Sequence, residues 1–188
     1  MRIGIDLDGV CFDFADSLRR YLYATQQNGN LTISEGEPNQ WDFYHDWGLS
    51  VEEFVQMCHD GADAGYVFRG DCRDMAPSAI NFIKSLGHTI HIITDRQFGT
   101  YPAVSHRNTR EWLEQHDIKY DTLTFSADKT AVKTDMFIED KLENYDALVS
   151  AGVDCYLVDR PWNQDAGDNR KRIKSIQEFA TIIGDMSC

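Results

Sequence analysis

Acidic side chains stand where short apolar runs of this sequence end. Asp6 and Asp8 close an alternating apolar run at 3–7, and Asp140 follows a second run at 136–138. In an open α/β sheet a ligand lies beyond the carboxyl ends of the strands, so we expect these carboxylates to face one site. Carboxylates from different strands, completed by water, suit Mg²⁺. Asp6 and Asp140 are therefore predicted to hold a magnesium ion.

A hydroxyl and an amine complete this set. Thr94 ends the apolar run at 88–94, and Lys129 precedes the Asp140 strand. A carboxylate beside a metal can attack phosphorus and form an aspartyl phosphate. A second carboxylate past the turn can protonate the leaving oxygen and later activate water. Hydroxyl, backbone N–H and lysine groups can neutralise phosphoryl oxygens. The order D-x-D-G-V, strand-Thr, Lys, strand-Glu-Asp thus indicates phosphoryl transfer.

The elements that must position these groups alternate from residue 77 onward. Helices of 10–15 residues between short strands are typical of βαβ units, and they predict an α/β fold with a doubly wound, mostly parallel sheet. Segment 15–75 departs from this rhythm, so we predict a core domain of 1–14 and 76–188 with a helical cap inserted at 15–75. We predict strands at 3–7, 88–94, 123–125, 136–138 and 155–158, and helices at 11–25, 77–86, 103–116, 142–150 and 169–183. Within the cap, Ser50 and Glu53 form a capping box that predicts a helix start.

These motifs resemble those of the haloacid dehalogenase (HAD) superfamily of phosphohydrolases, whose core is Rossmann-like. The stretches 6–14, 128–130 and 137–141 are similar to the 5′(3′)-deoxyribonucleotidase branch. One departure is Thr94-Asp95-Arg96, where that branch tends to carry Thr-Ser-Pro; we expect Arg96 at the surface or at the rim of the substrate site. The resemblance implies Asp6 as nucleophile, Asp8 as general acid/base, Thr94 and Lys129 as phosphate ligands, Mg²⁺ on Asp6, the Asp8 backbone oxygen and Asp140, Glu139 in support, and Phe14 facing a nucleoside.

Aromatic residues of the predicted cap bear on the substrate. Segment 21–68 carries nine aromatic and eight acidic residues but no Lys or Arg. Most of these rings must form a small core, while one or two can stack on a base; the candidates are Trp41, Phe43 and Trp47. A cap without cations is also a poor ligand for a second phosphate. We expect a small-molecule nucleotide substrate, with another small phosphorylated metabolite as the alternative and a non-catalytic binding module as the third hypothesis.

Charge and composition bound the remaining possibilities. The 188 residues carry a formal net charge of −13, which repels nucleic-acid polymers and anionic membranes. Five cysteines without a C-x-x-C pair favour a reducing compartment. No apolar run approaches the ~18 residues of a membrane helix. We therefore expect a cytoplasmic protein without nucleic-acid or membrane partners. The oligomeric state stays open, with a homodimer as the one assembly considered.

Overall fold

Six parallel strands form one sheet in the computed structural model, which describes residues 1–187. The strand order is β3-β2-β1-β4-β5-β6, so the chain runs outward from β1 on one side and then restarts beside β1 on the other. The predicted doubly wound α/β fold is confirmed. The strands are β1 Arg2–Ile5, β2 Thr89–Thr94, β3 Thr122–Phe125, β4 Met136–Glu139, β5 Asp154–Val158 and β6 Arg172–Ile173. The helices are α1 Phe14–Ala24, α2 Val51–Asp63, α3 Ala76–Ser85, α4 Pro102–Gln115, α5 Leu142–Ser150 and α6 Ile176–Met186.

Both faces of the sheet are buried, which explains the nearly continuous apolar runs of the central strands. Ile92 and Ile138 belong to the larger hydrophobic cluster, whereas their neighbours Ile93 and Phe137 belong to a smaller cluster with α5. The larger cluster also includes the buried residues of segment 15–75. The division into core and cap stays a prediction, because one continuous set of contacts spans the expected boundary.

The first helix begins later than predicted. Three successive N–H groups, from Val10 to Phe12, donate to the Leu7 carbonyl and form a tight turn after β1. Asp13 then caps α1 by accepting a hydrogen bond from the Asp16 N–H. The start at residue 11 was therefore wrong, because the turn and the cap precede the helix.

The last predicted helix, 169–183, was wrong over its first part. Residues 172–173 form the edge strand β6 beside β5, and α6 begins at Ile176. The Ser175 hydroxyl caps α6 by accepting from the Glu178 N–H. The Arg172 guanidinium binds Asp159 and Asp168. The predicted capping box at Ser50 and Glu53 is confirmed.

Segment 15–75 contacts the rest of the chain through several polar groups, among them those of α4 and of the loop after β2. Side chains of α4 bind its backbone: the Asn108 amide donates to the Ala62 carbonyl and the Trp112 N–H donates to Gly70, each at 2.8 Å. On the loop after β2, the Thr100 N–H and hydroxyl both donate to Asp63. These contacts fix α2 against the carboxyl edge of the sheet.

The lengths of the helices and the state of the cysteines bear on the expected surroundings of the protein. Over the described residues, the helices are each too short or too polar to cross a bilayer. Four cysteines are free thiols within 1–187: Cys11, Cys58, Cys72 and Cys155. The fifth, Cys188, lies outside the described residues.

Candidate functional site

The predicted acidic site lies between β1 and β4, where the order of the strands reverses. β1 and β4 are neighbours with Ile5 beside Ile138, so Asp6 is level with Glu139, and Asp140 follows one position further at the same edge. The Asp6 N–H still donates to the Ile138 carbonyl at 3.2 Å, which continues the ladder to the edge. Ligands of doubly wound folds bind at this switch point because the crossovers on its two sides diverge and leave a crevice.

Three carboxylates form a buried cluster there. Asp6, Glu139 and Asp140 each place one oxygen within 4.8 Å of the others. Glu139 Oε1 accepts hydrogen bonds from the N–H groups of Asp140 and Lys141, whereas Glu139 Oε2 is buried without a hydrogen-bond partner. An unpartnered buried oxygen beside two further carboxylates is a donor set for a hard divalent cation. These residues fit a divalent metal ion, and Glu139 lies within the cluster rather than behind it.

The pKa values of the cluster reflect mutual repulsion in a buried place. Burial, followed by repulsion from Asp6, raises the pKa of the Asp140 carboxyl to about 7. The same two causes raise the pKa of Glu139 well above its ordinary value. Burial also raises the pKa of Asp6, although attraction to Lys129 opposes it. Without a cation, these carboxylates therefore resist ionisation together.

Lys129 contacts the cluster through Asp6. Its ammonium donates to Asp6 Oδ1 at 2.8 Å and to the Ile93 carbonyl at 3.0 Å. Burial by itself would lower the pKa of this ammonium, but attraction to Asp6 and Glu139 outweighs it and raises the pKa. Asp128 caps the short 3₁₀ turn that begins at Lys129 and so aims the lysine inward. Lys133, four positions further along the chain, is exposed instead.

Asp8 pairs with Arg96, a residue that the sequence analysis expected at the surface or at the rim of the substrate site. The fully buried Arg96 donates from Nε to Asp8 Oδ2 at 2.9 Å and from Nη2 to Asp8 Oδ1 at 2.8 Å. The expected surface or rim position of Arg96 was therefore wrong, because the carboxylate and three aromatic rings hold it inside. Thr94 is also fully buried, with its hydroxyl 3.5 Å from Asp8 Oδ2 and away from the cleft wall. Its phosphate contact stays a prediction.

The loop after β5 holds Asp140. The Trp162 indole N–H donates to Asp140 Oδ2 at 2.8 Å, and the Asn163 amide donates to the Asp140 carbonyl at 2.6 Å. Arg160 donates to the Gly9 carbonyl at 2.7 Å and pairs with Asp74 at 2.6 Å. One loop thus orients the Asp140 carboxylate and joins both turns of the site to segment 15–75.

A cleft of about 350 Å³ opens above these groups. Its floor includes Asp6, Asp8 and Lys129, and eight aromatic side chains line its walls. Such a cavity is within the range that holds small-molecule ligands. The aromatic lining consists of Phe14, Trp41, Phe43, Tyr44, Phe54, Phe68, Phe98 and Trp162.

The candidate base-stacking residues differ in their access to this cleft. Phe14, Trp41 and Phe43 line it, and Trp41 is 51% exposed. Trp47 is 0% exposed and packs edge-on against Phe43, with its indole N–H donated to Ser34. The prediction that Trp47 contacts the substrate was therefore wrong, because this ring fills the small core of segment 15–75.

Two cations at the mouth were missed by the sequence reasoning. Arg73 ends the inserted segment, lines the cleft, and pairs with Glu37 and, at 3.4 Å, with Asp13. Lys141 follows Asp140, and its ammonium lies 4.8 Å from the centre of the Trp41 ring. The cation-free stretch, residues 21–68, ends before Arg73. The position of Lys141, directly after a strand-end carboxylate, was the available signal for the second cation.

Comparison with known proteins decides the family. The family described as "5' nucleotidase, deoxy (Pyrimidine), cytosolic type C protein" matches residues 1–186. This chain belongs to that family. It is a phosphoric monoester hydrolase of the HAD superfamily, as its motifs predicted. A protein of Chlorobaculum tepidum named "Putative 5'(3')-deoxyribonucleotidase" is 30% identical over 166 residues, which are 80% of this chain and 75% of that protein.

Solved structures share the fold of this family member. A "Putative haloacid dehalogenase-like hydrolase" from Bacteroides fragilis superposes with a TM-score of 0.61 at 14% identity, covering 94% of this chain and 98% of that one. D,D-heptose 1.7-bisphosphate phosphatase from B. bronchiseptica, complexed with magnesium and phosphate, gives a TM-score of 0.51 at 14% identity over 99% of both chains. At this identity, the likeness concerns the HAD-like architecture alone.

Proposed function

We propose that this chain is a Mg²⁺-dependent phosphatase of nucleoside monophosphates that works in the cytoplasm through a phosphorylated Asp6. The observation that carries the proposal is the buried cluster of Asp6, Glu139 and Asp140, with Lys129 on its flank, at the base of an aromatic cleft. The cytosolic family description and the free thiols support the location. Residues 15–75 are proposed as the cap over the cleft, and assembly beyond one chain is left open.

The chemistry follows from the position of each group. Asp6 attacks the phosphorus atom, and Asp8 donates a proton to the leaving oxygen as the phosphorus–oxygen bond breaks. Asp8 then takes a proton from the water that displaces phosphate from Asp6. Lys129, and in our proposal Thr94, offset charge on the phosphoryl oxygens. Mg²⁺ bound to Asp6, the Asp8 carbonyl and Asp140, with Glu139 beside them, would keep these carboxylates ionised and draw charge from the phosphoryl group.

The cleft wall supports a nucleoside rather than a small sugar. Phe14 packs near Phe54, Phe68 and Phe98, with ring centres 5.8–6.3 Å apart. Tyr44 stacks on the same Phe54, with the ring centres 4.2 Å apart. Planar rings offer a base large apolar contacts, whereas a sugar needs more hydrogen-bonding groups. Trp41 and Phe43 are the further proposed contacts of the base.

Phosphate release from a substrate panel tests the proposal. The panel contains 5′ and 3′ nucleotides in ribo and deoxy forms, several sugar phosphates and an aryl phosphate, each with Mg²⁺ and with chelator. We expect metal-dependent release from nucleotides. Release confined to sugar phosphates would retain the phosphatase chemistry and overturn the nucleotide assignment. The absence of release from every compound would overturn the catalytic proposal in favour of a binding role.

The change Asp6→Asn tests the nucleophile. We expect turnover to fall by at least about 10⁴-fold, because the covalent step is lost. Asp135→Asn is the matched control, since Asp135 binds Arg2 at the opposite end of β1. Thermal unfolding of both variants shows that the fold survives. Substantial activity in Asp6→Asn would contradict the phospho-aspartyl mechanism.

A further inference from the structure

Arg96 forms a buried fork with Asp8 and stands where the motif that the sequence resembles tends to carry Pro. We propose that Arg96 is a positioning residue that fixes the plane of the Asp8 carboxylate for proton transfer, an inference that rests on the proposed role of Asp8. The two contacts, at 2.9 and 2.8 Å, join two guanidinium nitrogens to the two carboxylate oxygens. Such a bidentate pair restrains direction as well as distance.

The surroundings of Arg96 make this fork rigid. Its guanidinium carbon lies 4.7 Å from the centre of the Phe12 ring, 4.6 Å from Phe68 and 5.7 Å from Trp112. The remaining nitrogen, Nη1, donates to the Thr109 hydroxyl at 3.3 Å. Aromatic faces attract a cation, and their packing leaves this side chain little freedom to rotate. Arg96 is therefore a rigid support that holds the Asp8 carboxylate in one plane.

The arrangement leaves Asp8 able to transfer protons. A carboxylate has about four acceptor sites, and the two contacts of Arg96 use only two of them. The Asp8 side chain is 25% exposed and lines the cleft beside Asp6, whereas Arg96 is fully buried behind it. Arg96 thus orients Asp8 without reaching the substrate. A lysine at this position would keep the charge but supply no planar fork.

The experiment compares two leaving groups in Arg96→Lys. Expulsion of a nucleoside alkoxide needs a proton from Asp8, while an activated nitrophenolate leaves with little help. We expect the first turnover of a nucleotide to slow by about 10- to 100-fold, with that of nitrophenyl phosphate nearly unchanged. Because water attack on phospho-Asp6 also needs Asp8, a burst of one nitrophenolate per enzyme should precede slow turnover.

Combining variants separates positioning from a general structural effect. If Arg96 acts through Asp8, Arg96→Lys should cause no further loss in an Asp8→Asn background. Arg110→Lys is the matched control, because Arg110 is exposed beside Thr109 and lies over Phe125 at 5.5 Å. We expect the control to keep the first turnover and the steady rate of the parent protein, without the burst of Arg96→Lys.

The outcomes distinguish this inference from the proposed function. Equal slowing of both first turnovers, or a further loss in the Asp8→Asn background, would overturn the role of Arg96 while leaving phosphatase action intact. Loss of the nitrophenolate burst when Asp6→Asn is added to Arg96→Lys supports the phospho-Asp6 mechanism on which the inference rests. If Arg96→Lys does not fold in a thermal melt, Thr109→Val takes its place, since it removes only the third contact. It should show the same leaving-group contrast in weaker form, and equal slowing there would refute the proposal.

Discussion

At the scale of single residues, Gly9 shows how closely the two turns of the site approach. Its φ is +76°, in the left-handed region, and an added Cβ would lie 2.0 Å from Asp140 Oδ2. Its carbonyl accepts the hydrogen bond from Arg160. Only glycine combines this conformation with the absence of a side chain. The D-x-D-G motif therefore needs its glycine because a second carboxylate occupies the space beside it.

Gly9→Ala should weaken Mg²⁺ binding by about 10- to 100-fold, because the methyl group displaces Asp140. Calorimetric titration with Mg²⁺ measures this change directly. Gly87→Ala is the matched control: its φ is +85°, but an added Cβ meets nothing within 4 Å. The control should lose about 1 kcal/mol of stability through backbone strain and keep its Mg²⁺ affinity. Equal metal affinities in the two variants would contradict the proposed role of Asp140.

At the scale of elements, the segment between α1 and α2 has one face in the core and another in the cleft. The 3₁₀ turn Phe43–His45 brings Phe43 and Tyr44 against Phe54 of α2. Trp47 closes the core beneath them, and Trp41 remains at the mouth above Lys141. Two tryptophans six positions apart thus have different environments within one element.

Alanine substitution of each tryptophan should separate binding from folding. Trp41→Ala should raise KM for nucleotides about tenfold, since stacking on a base is worth about 1–3 kcal/mol, and should leave KM for an aryl phosphate nearly unchanged. Trp47→Ala should lower the free energy of unfolding by about 3–5 kcal/mol through the cavity it creates. Steady-state kinetics and urea unfolding measure the two effects. An unchanged nucleotide KM in Trp41→Ala would remove this ring from the substrate site.

At the scale of the whole molecule, a net charge of −13 surrounds a buried acidic cluster. The basic residues after β5 are engaged with nearby carboxylates, for example Arg170 with Asp146 and Asp168. The ammonium of Lys129 faces three buried carboxylates. A divalent cation would offset the remaining negative charge, so metal binding and stability should be linked.

The pH dependence of unfolding tests this linkage. A carboxyl whose pKa is raised by folding favours the folded state below its unfolded pKa, near about 4. That contribution is lost as pH rises through the folded value, about 7 for Asp140. The Tm of the metal-free protein should therefore fall between pH 5 and 8. The increase in Tm caused by Mg²⁺ should grow over the same interval, because ionised carboxylates bind the metal. A Mg²⁺ effect independent of pH would contradict a site built on Asp140 and Glu139.

By itself, the sequence determined the sheet and the positions of the main chemical groups. The alternation of apolar runs with helical patterns specified the first five strands, and strand-end motifs specified Asp6 and Asp140, because parallel strands deliver their carboxyl ends to one edge. Lys129 was specified by its place before the Asp140 strand and by the resemblance to the family motifs. The capping box at Ser50 was equally local, since its hydrogen bonds span three residues.

Only the tertiary structure decided how polar groups from distant segments pair. Arg96 lies 88 positions from Asp8 in the chain and would be solvated in an isolated strand end, but the fold encloses it with that carboxylate. Trp47 and Trp41 have the same side chain, and only packing separates the buried ring from the exposed one. Periodicity reports which residues can be buried, whereas long-range contacts decide which partner each buried polar group has.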